Sequence, residues 1–371
     1  MCQSADGQWR TGHRSGVRRR VRRGARVLLV ALVLAAGTLV APAQTGEAHT
    51  CTPDATVGVS GRLLLPRGSG LVSVSLPSRE TRVVPVLPAQ GVATGVTQSP
   101  DGSLLAVPRF WRPPDHRIGG QDILLVSPDG GAPSQILARG QPGEVLGAPA
   151  WLPDGSLVYE RRVLSGVEEA VRIERARPGE PGHVLAEQAA WPAVSSDGAL
   201  LVMVRSAGGE RLIVRPVDGG AERVIVDAPQ LLTVAFPRFS PDGSWIAFTA
   251  AADPAASPAA QVPPSIGRAS DTFRLSPGSL VPLLGWPAAT LGAQAVRAHG
   301  VPWDVWVVRP DGTGLRRVTT FADDDSSAAW SPDGRWLATL SAEAVHVVAL
   351  EGAENYCISN EGGYGALEWL P

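Results

Sequence analysis

Short apolar runs alternate with clusters of proline, aspartate and glycine along most of the chain. Near the C-terminus, the apolar run that ends at Trp330 is followed by Ser-Pro-Asp-Gly and then by a second apolar run, Trp336–Leu340. Proline fixes φ for a turn, aspartate can bond the backbone two residues on, and glycine tolerates a positive φ. Short runs of β-forming residues on both sides of such a turn predict two antiparallel strands joined by a tight hairpin.

This hairpin pattern occurs five times. The turn aspartates are Asp101, Asp154, Asp197, Asp242 and Asp333, with gaps of 53, 43, 45 and 91 residues. Periods of about 40–50 residues are typical of propellers and solenoids. The last gap is about twice the others, which indicates an insertion or a hidden repeat. Because the aspartate recurs at equivalent turns, we interpret it as a turn residue; a catalytic acid needs a singular environment that shifts its pKa.

A second hairpin follows most copies of the first. Its strand–turn–strand pattern covers 122–137, 170–185, 211–226 and 304–319. Two hairpins make four strands, which is one propeller blade. The chain ends in Trp369-Leu370-Pro371, which repeats Trp151-Leu152-Pro153, and the other strands of that last blade lie near the N-terminus, within 60–86. The sequence therefore predicts an all-β fold, a six-bladed β-propeller closed by pairing N- and C-terminal strands in one shared blade, which hides the open edges of the ring.

These repeats resemble the WD40-like propeller repeats of the TolB family. The similarity is strongest over 304–340, where both hairpins occur in succession, and it covers most of 58–371. The resemblance implies a six-bladed propeller, in agreement with the repeat count, and it implies little about function. TolB itself carries an additional N-terminal α/β domain, and we expect no room for one between the export signal and the first blade.

The first 43 residues have the pattern of a secretory signal. Eight arginines precede the apolar run Val27–Ala41, and Ala41-Pro42-Ala43 is an Ala-x-Ala cleavage site. We therefore expect a signal peptide at 1–43, a linker at 44–57 and the propeller at 58–371. The protein would be exported from a bacterium to the extracellular, cell-wall or periplasmic space. An uncleaved N-terminal anchor is the alternative, and it would provide the only membrane contact.

Charge and cysteine content narrow the possible partners. The signal holds 8 of the 33 basic residues and one of the 35 acidic residues, so the remaining chain has a net charge of −9. We expect no nucleic-acid partner, because phosphate binding relies on basic surface.

Cys51 and Cys357 flank the shared blade and would form a disulfide in an oxidising compartment; two unpaired thiols are the alternative. Cysteine and histidine spacing predicts no metal site, and no cofactor motif occurs.

Two irregular segments interrupt the blades. Segment 109–117 links the two hairpins of the second blade, and segment 251–302 is inserted in the fifth blade. Both join the second and third strands of a blade, so both should lie on the face that carries the links between blades. Long loops on a rigid scaffold are frequent binding sites, although tolerated surface insertions are an equal interpretation.

These features predict a non-catalytic scaffold that binds a protein or cell-envelope ligand, since aromatic and arginine side chains are frequent binding anchors. The candidate ligand- or partner-binding residues are Arg109, Trp111, Arg112, His116, Arg117, Trp286 and Trp303. No nucleophile motif such as GxSxG occurs. The alternative function is a propeller lyase or hydrolase that acts on glycans, with histidine, arginine and carboxylates convergent in the channel. A third interpretation is a purely structural ring in a larger assembly.

Overall fold

The computed structural model describes residues 58–371 except 87–89, 115–117, 134, 166–167, 207–208, 228, 230, 253–302 and 322–325. Every regular element that these residues form is a β-strand. Within these ranges, no helix has the length and apolar character needed to cross a membrane. The strands pair into six sheets, so the predicted six-bladed propeller is confirmed.

The blades are numbered in chain order. Blade 1 begins with β1 (Gly61–Arg67), β2 (Gly70–Leu76) and β3 (Thr81–Val84). Blade 2 contains β4 (Val92–Ala93), β5 (Thr97–Gln98), β6 (Leu105–Trp111), β7 (Gly120–Val126) and β8 (Gln135–Ala138). Blade 3 contains β9 (Glu144–Trp151), β10 (Leu157–Ser165), β11 (Glu168–Ala176) and β12 (His183–Glu187). Blade 4 contains β13 (Ala189–Val194), β14 (Leu200–Arg205), β15 (Arg211–Pro216) and β16 (Arg223–Val226).

The last two blades complete the ring. Blade 5 contains β17 (Leu231–Phe239), β18 (Ile246–Ala252), β19 (Trp303–Val308) and β20 (Arg316–Arg317). Blade 6 contains β21 (Ser327–Trp330), β22 (Trp336–Leu340), β23 (Val345–Ala349) and β24 (Asn355–Ser359). The final strand, β25 (Glu368–Leu370), pairs with β1 and completes blade 1. β18 continues to Ala252, so the first two residues of the predicted insertion belong to a strand.

Neighbouring strands within a blade run antiparallel, which fixes the two faces of the ring. The first strands of neighbouring blades contact each other around the ring, and they therefore surround the central channel. Connections between the first and second strands, and between the third and fourth, emerge on one side, which we call the turn face. Connections between the second and third strands, and the links between blades, emerge on the other side. We call it the insertion face, because the connection after β6 and the 253–302 segment both join second to third strands. Residues 109–111 of the predicted irregular segment belong to β6.

The apolar core lies between the blades rather than inside one sheet. Six clusters of buried side chains fill the six spaces between neighbouring blades. In β6, Leu105 and Val107 pack toward blade 1, whereas Ala106 packs toward blade 3. Side chains that alternate along a strand point to opposite faces of its sheet. Both faces of the middle strands are covered, so a strand such as β7 is buried along its whole length.

In four blades, a serine and an aspartate together form the tight turn between the first and second strands. In four turns, a serine hydroxyl donates to the aspartate Oδ1 and accepts the backbone N–H five residues after the serine, at 2.9 Å. These serine–aspartate pairs are Ser99–Asp101, Ser195–Asp197, Ser240–Asp242 and Ser331–Asp333. Glycine follows each aspartate with a positive φ, for example 72° at Gly102. The hydroxyl and the carboxylate thus satisfy the backbone donors of the turn.

Blade 3 uses a shorter turn, and blade 1 has the same register. Leu152 replaces the serine of the other turns, and its N–H bonds the Ser156 carbonyl. Trp151 consequently lies opposite Leu157, three residues after the turn aspartate. Trp369 lies opposite Leu63, three residues after Ser60. The shared Trp-Leu-Pro sequence therefore corresponds to a shared strand register.

Closure of the ring rests on a short pairing. Only three residue pairs join β25 to β1: Arg62 with Leu370, Leu63 with Trp369, and Leu64 with Glu368. The Trp369 indole is 5% exposed, packs between blades 1 and 6, and donates to the Ser60 carbonyl at 3.1 Å. One side chain thus fixes both the register and the packing of the last strand.

We expect Trp369→Ala to lower the free energy of unfolding by about 3–5 kcal/mol, because it removes a buried indole and leaves a cavity at the closure. Chemical denaturation followed by circular dichroism measures this difference. The matched control is Val83→Ala on β3 of the same blade, where the side chain is 70% exposed. The control should stay within about 0.5 kcal/mol of the wild type. An equally small effect of Trp369→Ala would contradict this role for the final strand.

Candidate functional site

The structure places three of the predicted binding residues together at the insertion-face end of β6. Arg109 is 8% exposed, and its Nη2 lies 3.6 Å from Oδ2 of Asp122, the residue opposite it on β7. Trp111 is half-buried beside Gly120, where an added Cβ would lie 3.2 Å from the indole. Arg112 is exposed. Trp111 and Arg112 are therefore available to a partner, whereas Arg109 is mostly occupied by an internal ion pair.

Trp303 lies on the other side of the ring. It begins β19 in blade 5, and blades 2 and 5 are opposite each other in a ring of six. The structure therefore does not bring Trp303 into contact with the β6 residues. His116, Arg117 and Trp286 lie outside the described residues, so their predicted roles stay predictions.

Trp303 packs with two other aromatic residues between blades 4 and 5. We call Trp191, Phe236 and Trp303 the aromatic cluster. The rings of Trp191 and Phe236 have centroids 4.3 Å apart and are tilted by 47°. Both are half-buried, and they pack against Trp303, which is 6% exposed, together with Ala235 and Ala251. Trp191 and Phe236 lie within the inner strands β13 and β17, and Trp303 lies at the insertion-face end of β19.

An unusual backbone conformation holds two of these aromatics. Trp191 and Phe236 have φ values of 53° and 50°, and Ala148 on β9 has 46°. Each precedes a proline, lies six residues before its turn aspartate, and coincides with a register shift in its inner strand. Non-glycine residues in this left-handed region carry strain and are frequent at ligand clamps. Ala148 shows that the bulge itself does not require an aromatic side chain.

A buried carboxylate supports the bulge of blade 4. Glu160 on β10 is 5% exposed, and its Oε2 accepts the Trp191 N–H at 2.8 Å. Its Oε1 lies 2.7 Å from Nη2 of Arg162. A charge-assisted bond of this kind compensates for the N–H that the bulge withdraws from the strand ladder. The position of Trp191 is thus fixed by the preceding blade.

Six equivalent positions, one from each inner strand, lie at one level of the ring. In blades 2 to 6 they lie four residues before the turn aspartate, and in blade 1 the matching residue directly precedes Trp369. The six residues are Thr97, Ala150, Ala193, Arg238, Ala329 and Glu368. Four are small. The other two meet: Arg238 Nη1 of blade 5 lies 3.4 Å from Glu368 Oε2 of blade 1, with blade 6 between them. The ion pair therefore crosses the channel at this level.

Burial raises the pKa of Glu368 above its usual range, although Arg238 and bonds from Thr97 and the Gln98 backbone favour the carboxylate. The Glu368 side chain is 21% exposed, but the surrounding blades keep bulk water away from the charge. Desolvation of this kind disfavours the ionised form of a carboxyl group.

The turn aspartates have a different environment. Their Oδ1 atoms accept the N–H two residues on at 3.0–3.1 Å. Bonds from the Ser99 hydroxyl and from Ser103 lower the pKa of Asp101 to about 2. The carboxylates thus stay ionised, and each accepts bonds within its own turn. Asp154 also accepts bonds from Arg175 and Arg177 of the same blade. Among the described residues, no group of three or more histidine, cysteine, aspartate or glutamate side chains could hold a metal ion.

Cys357 lies on β24 and is disulfide-bonded. Cys51, its predicted partner, lies outside the described residues, so this pairing stays a prediction.

Sequence reasoning missed Trp191, Phe236, Arg238 and Glu368. A signal for the first two exists, because proline occurs five residues before the turn aspartate in blades 3, 4 and 5, at Pro149, Pro192 and Pro237. Proline removes a ladder donor and favours a bulge in a strand. The meeting of Arg238 with Glu368 has no local signal, since 130 residues separate them.

Comparisons with known proteins agree with the fold. No model of a protein family matches the chain. The protein TolB homolog of Chlorobium luteolum is 31% identical over 146 residues, which are 39% of this chain and about a third (32%) of that relative's length.

Solved structures extend the comparison to most of the chain. TolB from Acinetobacter baumannii has a TM-score of 0.55 and 15% identity, over 84% of this chain and 67% of that one. The TolB candidate from Agrobacterium tumefaciens has a TM-score of 0.50 and 16% identity, over 84% of this chain and all (100%) of that one. The resemblance to TolB propellers is thus confirmed in sequence and in fold.

The raised pKa of Glu368 gives stability a defined pH dependence. Its contribution to stability is fully present below the unfolded pKa near 4.5 and is lost as the pH rises through the folded pKa. Glu368→Gln is neutral at every pH. We therefore expect this variant to match the wild type near pH 4 and to be the more stable protein above the folded pKa of Glu368.

Urea unfolding from pH 4 to pH 8 measures the two curves. A wild type that gains stability over Glu368→Gln as the pH rises would show that the Arg238 ion pair outweighs desolvation, and would contradict the raised pKa.

Proposed function

We propose that this TolB-like six-bladed propeller is an exported, non-catalytic scaffold that binds a protein partner on its insertion face. The aromatic cluster is the observation that carries this proposal. Two of its rings, Trp191 and Phe236, remain half-buried while the backbone that holds them is strained. Strained backbone around partly exposed aromatics is more typical of a binding site than of a core.

Exposed apolar side chains support the same face. Seven large apolar side chains are exposed among the described residues, and three of them belong to the insertion face: Ile118, Leu232 and Tyr364. Three others lie on outer strands, and Leu315 lies on the turn face. Leu232, 47% exposed, is at the insertion-face end of β17, the strand that carries Phe236. Leu232 can therefore add an apolar contact on this face.

The proposed contacts therefore combine two regions of one face. Trp191, Phe236 and Leu232 supply an apolar centre near the inner strands. Trp111 and Arg112 supply an aromatic and a cationic contact on the opposite side of the ring. A partner with apolar side chains at its centre and an acidic group toward blade 2 fits this arrangement. Export to the cell envelope is part of the proposal and rests on the secretory pattern of residues 1–43.

The test is affinity capture from the envelope and culture medium, with the exported chain 44–371 as bait. We expect the double variant Trp191→Ala/Phe236→Ala to lose at least about 30-fold in affinity for the captured partner, since hot-spot aromatics contribute about 2 kcal/mol or more. Trp111→Ala should weaken capture less, because Trp111 lies at the edge of the proposed binding surface.

The matched control is Trp245→Ala. Trp245 belongs to the turn face, where the Arg309 guanidinium lies 4.5 Å from its ring centroid. The Trp245→Ala variant should still capture the partner. Melting temperatures should show that every variant is folded. Capture that survives the double variant but is lost in Trp245→Ala would assign binding to the other face.

A glycan lyase or hydrolase is the second candidate. The observation that favours it is a carboxyl group of raised pKa beside an arginine in the channel, Glu368 with Arg238. Such a carboxyl group is suited to general acid catalysis. The arginine and the glutamate pair with each other, however, which favours the scaffold. Turnover of an envelope or plant glycan that disappears in Glu368→Gln would favour the enzyme.

A further inference from the structure

A groove separates the outer parts of blades 1 and 6, and we call it the rim groove. β1 and β2 form one side, and the end of β24 forms the other. It encloses about 270 Å³, close to the lower end of the usual range for small-molecule sites, about 300–1,000 Å³. This volume suits a small ligand. The apolar wall of the groove is formed by Leu65, Val72, Val74 and Ile358.

The apolar wall continues to the protein surface. Leu65 and Val74 are buried and pack in one cluster with Ile358 of blade 6. Val72 is half-buried, and Val83 on β3 lies directly opposite it in the strand pairing. Directly opposite residues share one face of a sheet, so Val83, which is 70% exposed, extends the wall outward. An apolar chain bound along this wall would remove apolar surface from water.

The first of two arginines in the groove is Arg67, at the end of β1. Its Nη2 donates to the Glu361 carbonyl at 2.6 Å. Gly363 leaves room for Nη1, because an added Cβ there would collide with that atom. Burial lowers the pKa of Arg67, and the Glu361 charge opposes this effect without cancelling it. A guanidinium stays charged nevertheless, so Arg67 is a partly desolvated cation.

The second arginine, Arg79, enters the groove from the other end of β2. It lies in the turn after Leu76, where its backbone has a φ of 58° and its N–H donates to the Ser75 carbonyl at 2.6 Å. Arg79 is half-buried. Glu361 is the only acidic residue that lines the groove, and no carboxylate among the described residues forms a salt bridge with either arginine. Two cations therefore stand against one carboxylate in the groove.

We propose that the rim groove binds a small amphipathic anion, in which a carboxylate or phosphate group is attached to an apolar chain. The anionic group pairs with the guanidinium groups of Arg79 and Arg67, since the planar fork of arginine fits both kinds of oxyanion. The apolar chain lies along Val72 and Val74 toward Val83. The positive charge of the groove disfavours a cation, and its apolar wall disfavours a fully polar ligand.

The bound ligand contacts both sides of the ring closure. Val72 and Val74 belong to blade 1, whereas Ile358 belongs to blade 6. A ligand that binds only the folded ring stabilises it by mass action. A ligand concentration of about 100 times Kd should therefore raise the melting temperature by roughly 5 °C.

The direct test is isothermal titration calorimetry of the exported protein with two probes, hexanoate and hexyl phosphate. Controls are 1-hexanol, which lacks the charge, and acetate and inorganic phosphate, which lack the chain. At least one probe should bind at one saturable site and about tenfold or more tighter than its controls, since bonds to charged groups contribute strongly. Hexanoate should bind about tenfold tighter than butanoate, because each buried CH₂ contributes about three- to fourfold. The tighter of the two probes identifies the anionic group.

Two variants locate the bound ligand. Arg79→Gln should weaken binding of the anionic probes about tenfold or more and leave the weak binding of 1-hexanol unchanged. The matched control is Arg82→Gln, because Arg82 belongs to the next strand, is exposed and pairs with Asp129 outside the groove. This control should bind both probes like the wild type, and melting temperatures without ligand should show that both variants are folded.

Three results would overturn the proposal: no saturable binding of either probe up to about 10 mM, equal affinity for hexanoate and 1-hexanol, or unchanged affinity in Arg79→Gln. None of these readouts depends on a partner of the insertion face, so the proposed scaffold function and the rim groove succeed or fail separately.

Discussion

The pairing of β25 with β1 is the interaction on which the whole ring depends. Five blades are continuous in sequence, whereas blade 1 exists only when the last strand reaches the first. The same few residues do three things there. The backbone of 368–370 pairs with β1, Trp369 packs between blades, and Glu368 meets Arg238 across the channel. Closure and channel geometry are consequently coupled through one short strand.

The two faces of the ring differ in how much the connections between their strands vary from blade to blade. On the turn face, the serine–aspartate–glycine turn satisfies its own backbone donors, so four blades repeat it with nearly identical distances. The insertion face carries the longer connections, and the proline bulges lie within the inner strands. A rigid repeat on one side and variable connections on the other are the usual arrangement in which a scaffold presents a binding surface. The aromatic cluster occurs only where blades 4 and 5 replace the alanine of blade 3 with Trp191 and Phe236.

Local patterns predicted the parts of this structure that local forces determine. The turns, the blade count and the shared blade follow from proline, glycine and apolar periodicity, and even the register of Trp369 follows from the repeated Trp-Leu-Pro. Contacts between blades were not predictable in that way. Trp191, Phe236 and Trp303 are 45 and 67 residues apart in the chain, and only ring closure brings Glu368 near Arg238. The predicted binding site stays a prediction, and it did not include Trp191 and Phe236, which pack with Trp303.

The most direct measurement of the central claim is site-specific photo-crosslinking in the living source cell. A crosslinking side chain would replace Arg112 or Leu232 on the insertion face, or Glu180 or Thr313 on the turn face; all four positions are exposed. The scaffold account predicts that one partner protein is crosslinked from both insertion-face positions and from neither turn-face position. Crosslinks from Glu180 and Thr313 with none from Arg112 and Leu232 would contradict it.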